Sequence, residues 1–248
     1  MTDLSDAEFQ RYKRQLILKD FGEKSQKILK DSTITVFGCG GLGCPTATYL
    51  AASGIGKINL VDFQKPELSN LNRQIMHFEE DIGKKNKSDS LREKLEKLNS
   101  SIKIKSFSLK VDENNISKFK ESDVLVDCLD NFQTRYLMNK FSLKEKIPLI
   151  HAAVEAYYGQ ITTIIPGKTP CIQCLFPDMP NKKDVFPIIG PICGVLGSIE
   201  AMEVIKVLLG IGDTLSGKLL IVDLKCMDFD TINFKRRNDC PVCSECFS

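Results

Sequence analysis

Strand-like and helix-like runs alternate through roughly the first 150 residues, and this alternation constrains the fold more than any other feature of the chain. ITVFG (34–38) reads as a buried strand, followed by a glycine turn and a small-residue helix, TATYLAASG (46–54). KINLVD (57–62) is the next strand, and KSDSLREKLEKL (87–98) places Leu91, Leu95 and Leu98 on one helical face. IKIKSFSL (102–109) alternates as a strand; DVLVDCLD (123–130) is an apolar strand ending in acids, before a helix near 132–145 and a strand near 148–151. Such a series predicts an α/β fold, Rossmann-like, with a doubly wound and mostly parallel sheet carrying helices on both faces.

Beyond about residue 155 the pattern changes. GQITTIIPG (159–167) reads as a half-exposed strand, and CIQCLFPDMPNKKDVFPIIGP (171–191) as a proline-punctuated loop where parallel order stops. The helix GSIEAMEVIKVLLG (197–210) and the strands KLLIVDL (218–224) and DTINFK (230–235) then predict a C-terminal antiparallel extension. At the other end, Ser5 with Glu8 three positions on is a capping-box pattern before EFQRYKRQLI (8–17). One domain over 1–248 is expected, with an N-terminal helical segment (1–30), a nucleotide-binding α/β part (31–155) and a third part (156–248).

Charge excludes one class of function. Thirty-four Lys and Arg against 32 Asp and Glu leave +2, with no basic block, so neither nucleic acid nor a membrane surface is an expected partner. The N-terminus is polar and no stretch approaches the roughly 18 apolar residues of a membrane span, so the expected location is cytoplasmic. In that reducing compartment ten cysteines are unsuited to disulfides; metal ligands, catalytic thiols and small buried groups compete to explain them.

The turn Gly38-Cys39-Gly40-Gly41-Leu42-Gly43 follows a strand and opens a helix, so Gly38, Gly40, Gly41 and Gly43 let the backbone approach a phosphate at a helix N-terminus. Asp62, 19 residues after Gly43, closes the second strand where a carboxylate can accept hydrogen bonds from ribose hydroxyls. A dehydrogenase would look the same to this point, and a tight turn before an ordinary surface acid is the plainer alternative. LSNLNRQ (68–74) then sets Asn70, Asn72, Arg73 and Gln74 directly after the ribose strand. A guanidinium there suits a triphosphate, because its planar fork pairs with phosphate oxygens, and Lys87 at the start of the next helix could add a point charge. Either cation alone would be an ordinary surface charge.

Asp127-Cys128-Leu129-Asp130-Asn131 stands at the carboxyl end of a central strand, where open α/β sheets bind ligands. Asp130 there could hold Mg²⁺ against ATP phosphates, or could simply cap the following helix. Cys171-x-x-Cys174 and Cys240-x-x-Cys243 are two knuckles that together offer tetrahedral Zn²⁺ four thiolates across 65 intervening residues. Unrelated thiols or a redox pair are the alternatives, and Cys246 is a spare ligand. Cys39 and Cys44 fall on the glycine loop and its helix, and Cys128 and Cys226 on strands or their ends.

Taken together, these residues resemble the MoeB/ThiF/HesA family, bacterial relatives of the ubiquitin-activating enzymes. The resemblance runs in order through RYKRQ (11–15), GCGGLG (38–43), LVDF (60–63), LSNLNRQ (68–74), DCLDN (127–131), GQIT (159–162), the first CxxC, GP (190–191), GSIEAMEVIKVL (197–208) and CPVC (240–243). It implies an ATP- and Mg²⁺-dependent adenylyltransferase that activates the Gly-Gly carboxylate of a ubiquitin-like sulfur-carrier protein, of thiamine or molybdopterin synthesis. The third part, 156–248, would bind the carrier and zinc. Residue by residue, it implies Asp62 on the ribose, Asn70 and Arg73 on the triphosphate with Gln74, Lys87 and Asn131 beside them, and Asp130 on Mg²⁺. Arg14 would reach the neighbouring subunit's ATP, which implies a homodimer; from spacing alone Arg11 and Arg14 are a solvated helical face. Neither His77 nor His151 is needed as a base, and both are expected in structural roles.

The chain departs from the family pattern in three places, the smallest being Leu129 before Asp130, where Thr is common. Ile82-Gly83-Lys84-Lys85-Asn86-Lys87 lacks the usual proline, leaving Lys87 or Lys85 as the phosphate lysine. Lys182-Lys183-Asp184-Val185-Phe186 lacks the cysteine that many relatives carry for a covalent carrier link; Cys193 is the nearest substitute, and a small buried residue at a tight turn is its plainer reading. A chain ending at Ser248 leads to the expectation of a separate sulfur donor, of cysteine desulfurase or rhodanese type. Activation of a carrier for another sulfur or peptide-modification pathway, a nicotinamide-dependent oxidoreductase and a non-catalytic adaptor are the competing functions.

Overall fold

In the computed structural model, which describes residues 1–180 and 186–244, eight strands form one sheet. They are β1 (Thr33–Phe37), β2 (Lys57–Val61), β3 (Lys103–Phe107), β4 (Val124–Asp127), β5 (Leu149–Glu155), β6 (Tyr158–Ile164), β7 (Lys218–Asp223) and β8 (Asp228–Asn233). Their order is β3-β2-β1-β4-β5-β6-β7-β8. β1 to β5 pair in parallel and β6 to β8 are antiparallel additions, as the sequence predicts. The helices are α1 (Asp6–Arg11), α2 (Lys13–Leu16), α3 (Gly22–Asp31), α4 (Gly43–Ser53), α5 (Lys87–Leu98), α6 (Phe132–Glu145), α7 (Ile172–Leu175) and α8 (Gly190–Leu209).

The strands at the centre read as unbroken apolar runs because both their faces are covered. Ile34, Val36, Val124 and Val126 face α3, α4, α5 and α8 through Leu29, Leu50, Leu91, Leu95 and Leu196. The alternate residues Phe37, Leu125 and Leu149 face the other way, onto Phe119, Met138 and Phe141. Glycines let the layers close. A Cβ on Gly197 of α8 would fall 2.5 Å from Pro45 Cγ, and one on Gly43 would fall 1.9 Å from the carbonyl oxygen of Gly38.

Four local expectations are corrected. Leu98 is 40 % exposed while Leu91 and Leu95 are fully buried, because α5 ends at Leu98 and turns it off the packed face. β6 is mostly buried rather than half-exposed, since β5 and β7 flank it. α8 starts seven residues earlier than its periodicity showed: Pro191 sits in the first turn, where a missing N–H costs nothing. The N-terminal run is two short helices, broken at Tyr12, whose buried ring packs at Gly54 and whose hydroxyl accepts from Asn99 Nδ2 (2.9 Å). The capping box of α1 forms as expected: Glu8 N donates to Ser5 Oγ (3.3 Å) and Ser5 N to Glu8 Oε2 (2.8 Å).

Gly43→Ala must push α4 away from β1, and it is expected to lower stability by about 1–3 kcal/mol or more, read as a reduced Tm in thermal denaturation.

Candidate functional site

The chain leaves β1 toward β2 and β3 and returns to β4 on its other side, so the sheet's switch point lies between β1 and β4. The glycine loop spans that point. Gly38 has φ +94°, and a Cβ there would lie 2.5 Å from the carbonyl oxygen of Cys128 at the end of β4. A Cβ on Gly41 would meet Cys193 Sγ at 2.8 Å, and one on Gly40 would lie 3.4 Å from Gln74 Nε2. α4 carries no side-chain cap; in its first turn Cys44 N–H is taken by Gly40 O (3.0 Å) and Pro45 has no N–H, so Gly43 N–H is the donor left to an anion at the mouth of this crevice.

Asp62 stands one residue past β2. Its Oδ2 accepts from Cys39 N (2.9 Å) and its Oδ1 from Gln64 N (2.8 Å), yet burial outweighs these bonds and raises its pKa. The charges of Lys87 and Asp130 also reach it, so the three side chains share one neighbourhood. Lys87, the first residue of α5, is only 5 % exposed, and its Nζ donates to the neutral Oε1 of Gln64 (2.8 Å). It has no carboxylate at ion-pair distance among the described residues, whereas Lys85 is paired with Glu93 on the surface. Geometry therefore places Lys87, not Lys85, beside Asp62 and Gln64 at the glycine loop.

Asn70 is buried, its Oδ1 accepting from Glu67 N (3.2 Å). Arg73 is half-buried; its Nη1 donates to Ser69 O and Asn72 Oδ1, each at 3.0 Å. It borders a cavity of about 300 Å³ shared with Pro45, Ile75, Gly190 and Gly194. Gln74 is buried with Oε1 lacking a hydrogen-bond partner. Asp130 is exposed, and the helix-cap alternative fails for it: Asn131 caps α6, its Oδ1 accepting from Thr134 N (2.9 Å) while its Nδ2 donates to Asp130 Oδ1 (3.4 Å). Arg14 is exposed on α2 and makes no hydrogen bond or ion pair among the described residues. Arg11 is not merely solvated, since its Nη1 donates to Leu98 O at the end of α5 (3.0 Å).

Two buried polar clusters went unnoticed in the sequence. Asp127, wholly buried, pairs with His151 Nδ1 (2.7 Å) and Arg135 Nε (3.4 Å). Glu200, in the middle of α8, is pushed by burial up to about 8; Thr46 Oγ1 lies 2.8 Å from its Oε2 and from Leu42 O, and Cys128 Sγ donates to it at 3.4 Å. Thr46 has one proton for two oxygens, and a protonated Glu200 resolves the conflict by donating to it. The signals were present: an acid first in DCLDN on an otherwise apolar strand, and a glutamate inside an apolar helix. His77, pulled down to about 4 by burial, donates Nε2–H to Cys39 O (2.8 Å) and accepts from Ser90 Oγ (2.8 Å), so it braces the loop as a neutral group.

Cys171, Cys174, Cys240 and Cys243 come together with all Sγ atoms within 4.8 Å of one another. For tetrahedral coordination a Zn–S bond of about 2.3 Å gives S···S edges of about 3.8 Å; here Cys171–Cys174, Cys171–Cys240 and Cys174–Cys243 are 4.0, 3.7 and 3.5 Å. The donor set and its size therefore fit zinc. Burial opposes ionisation, but N–H donors of Cys243 and Val242 hold Cys240 down to about 7. Cys246 and Lys182–Val185 lie outside the described residues. Cys193 is in the first turn of α8, not before the helix; its thiol is packed on Gly41 and burial pushes it up to about 11, which is no setting for a nucleophile.

The ThiF family profile matches residues 12–242. The chain belongs to that family. It is 39% identical over 248 residues to the SAMP-activating enzyme E1 of Haloferax volcanii, covering 98% of this chain and 91% of that protein. It is 40% identical over 249 residues to the adenylyltransferase and sulfurtransferase MOCS3 of Aedes aegypti, covering 98% and 57%. The chain thus spans little more than half the length of its MOCS3 relatives. E. coli MccB with MccA-N7isoASN is similar at a TM-score of 0.84 and 26% identity, over 97% of this chain and 75% of that one. E. coli MccB with ATP is similar at a TM-score of 0.78 and 28% identity, over 88% and 68%.

Two outcomes follow. Cys174→Ser should remove close to one zinc per chain by elemental analysis and lower Tm by several degrees, since metal binding at such a site is folding free energy. For Glu200 the folded pKa is raised, so the native state keeps a proton that the unfolded chain releases, and stability falls as pH rises between about 4.5 and about 8. Glu200→Gln cannot ionise; relative to wild type its stability should therefore gain with pH across that window, by an amount on the order of a few kcal/mol in denaturant titrations.

Proposed function

We propose that this chain adenylates the C-terminal carboxylate of a small ubiquitin-like sulfur-carrier protein ending in Gly-Gly, using ATP and releasing pyrophosphate, in thiamine or molybdopterin synthesis. The observation that carries the reading is Lys87: a buried ammonium held by a neutral amide, beside Asp62 at the mouth of the glycine loop. A buried cation without a carboxylate partner is costly unless an anion completes it, and a triphosphate would do so. A nicotinamide enzyme shares the loop and Asp62, but leaves Lys87, Asp130 and the four-cysteine cluster idle. The names of the MOCS3 and SAMP-activating relatives, and the solved MccB with ATP, support the same direction.

On this reading Asp62 accepts from the ribose, and the glycine loop with the start of α4 cradles phosphates. Arg73, Lys87 and the partner-site Arg14 neutralise the triphosphate, with Asn70, Gln74 and Asn131 lining it. Asp130, exposed and without an ion pair among the described residues, suits Mg²⁺, which when bound supplies further positive charge to the phosphate oxygens. A carrier carboxylate oxygen attacks the α-phosphorus and the bond to pyrophosphate breaks; no general base is needed, because that carboxylate is already ionised. Arg14 acts across a homodimer, an arrangement supported by the exposed Phe9, Ile17 and Leu18 around it. No helix among the described residues is long and apolar enough to cross a membrane, and the cytoplasm is the proposed location.

The test is ATP–pyrophosphate exchange. Exchange should appear only with a Gly-Gly-ended carrier, and whether a ThiS-like or a MoaD-like carrier supports it assigns the pathway. Lys87→Met and Asp130→Ala should each reduce exchange by about 10²-fold or more while leaving the fold intact by circular dichroism. Tight NAD binding without ATP binding would instead return the oxidoreductase reading.

A further inference from the structure

The buried cluster beneath Asp130 is built around the backbone of one residue, Leu129. Asp127 Oδ1 accepts the N–H of Leu129 (3.1 Å), and Arg135 Nη2 donates to the carbonyl of Leu129 and to that of Ala152 (3.2 Å). Both backbone polar groups of the residue directly before Asp130 are thus held from below by an acid on β4 and a guanidinium on α6. His151 donates Nδ1–H to the other oxygen of Asp127 (2.7 Å), Arg135 Nε lies 3.4 Å from the same oxygen, and the guanidinium rests over the ring of Phe132 (5.2 Å). Asn131 holds the other side, capping α6 and donating to Asp130 Oδ1.

Two features set this cluster apart from an ordinary anchor. Asp127 and His151 are wholly buried and Arg135 nearly so, whereas Asp130, one residue beyond Leu129, is exposed. Burying an ion pair adds little net stability over apolar packing, so its use here is better sought in fixing a conformation. The conformation fixed is that of the turn at the switch point, where a freely moving carboxylate would have to be ordered each time a ligand bound.

We propose that Arg135 and Asp127 are positioning residues, clamping the two peptide groups that flank Leu129 so that the Asp130 carboxylate is held ready for a divalent cation on a nucleotide. The proposal rests on the reading of Asp130 given above. Arg135 serves through its fork: one nitrogen faces Asp127 while another reaches two carbonyls, which a lysine cannot do from a single ammonium.

The experiment is a Mn²⁺ titration of the full chain with the non-hydrolysable analogue AMPCPP, read by electron paramagnetic resonance, beside carrier-dependent exchange. Wild type should bind one Mn²⁺ more tightly than AMPCPP alone does, and Asp130→Ala should abolish that gain. If wild type shows neither tightened Mn²⁺ nor exchange, the functional reading fails. If wild type shows both, Arg135→Lys decides the clamp: a folded variant with Mn²⁺ binding weakened about ten-fold supports it. Unchanged Mn²⁺ affinity overturns it, whatever happens to Tm. Should Arg135→Lys not fold, Asp127→Asn takes its place, because its amide cannot accept from both Leu129 N–H and His151; the same two outcomes apply. His151→Asn, whose amide can still donate to Asp127, should retain wild-type Mn²⁺ affinity, and a loss equal to that of Arg135→Lys would mark the cluster as a general packing element instead.

Discussion

The close contact between the glycine loop and the end of β4 is the constraint on which the rest of the site depends. Gly38 lies against the Cys128 carbonyl and Gly43 against the Gly38 carbonyl, each too near for any side chain. This contact brings the uncapped start of α4 to the carboxyl ends of β1 and β4 together. Without it the helix N-terminus, the acid after β2 and the acid after β4 would open onto separate surfaces. α8 makes the same demand from behind through Gly197, so two helices and two strands converge with almost no side-chain volume between them.

Charge is distributed around that contact with a sense. Cations come from the segment after β2 and from α5, as Arg73 and Lys87; the acids come from the ends of β2 and β4, as Asp62 and Asp130. The buried groups nearer the core are neutral or mutually paired: His77 and Glu200 by loss or retention of a proton, Asp127 by Arg135. An incoming anion therefore meets uncompensated positive charge only at the mouth of the crevice. A net charge of +2 over the chain conceals this separation, since bulk balance reports nothing about local arrangement.

Periodicity made the sheet legible because each parallel strand is short, apolar and bounded by a turn, and the spans of α5 and α6 were legible for the same reason. The glycine loop and the two CxxC pairs were legible because their chemistry needs fixed spacing. What escaped the sequence depends on register. Asp127 meets His151 only because β4 and β5 pair Asp127 with His151, and it meets Arg135 only because α6 starts at Phe132 and turns that side chain back under the sheet. The start of α8 escaped because Gly190 and Pro191, which read as a loop, are instead a first turn pressed against Asn72. Arg14 stands outside any reach a single chain can show: its proposed partner lies on another copy.

The two halves of the molecule are held together by different physics. Around the nucleotide loop the sheet is covered on both faces, and burial of Ile34, Val36, Phe37 and Leu125 supplies the driving force. β8 is exposed along its whole length, and β7 is buried only in part, so the antiparallel extension has little core of its own. The four clustered cysteines join the segment after β6 to the segment after β8, at the two ends of that extension. A metal held there would substitute for the apolar contacts that an exposed hairpin cannot make.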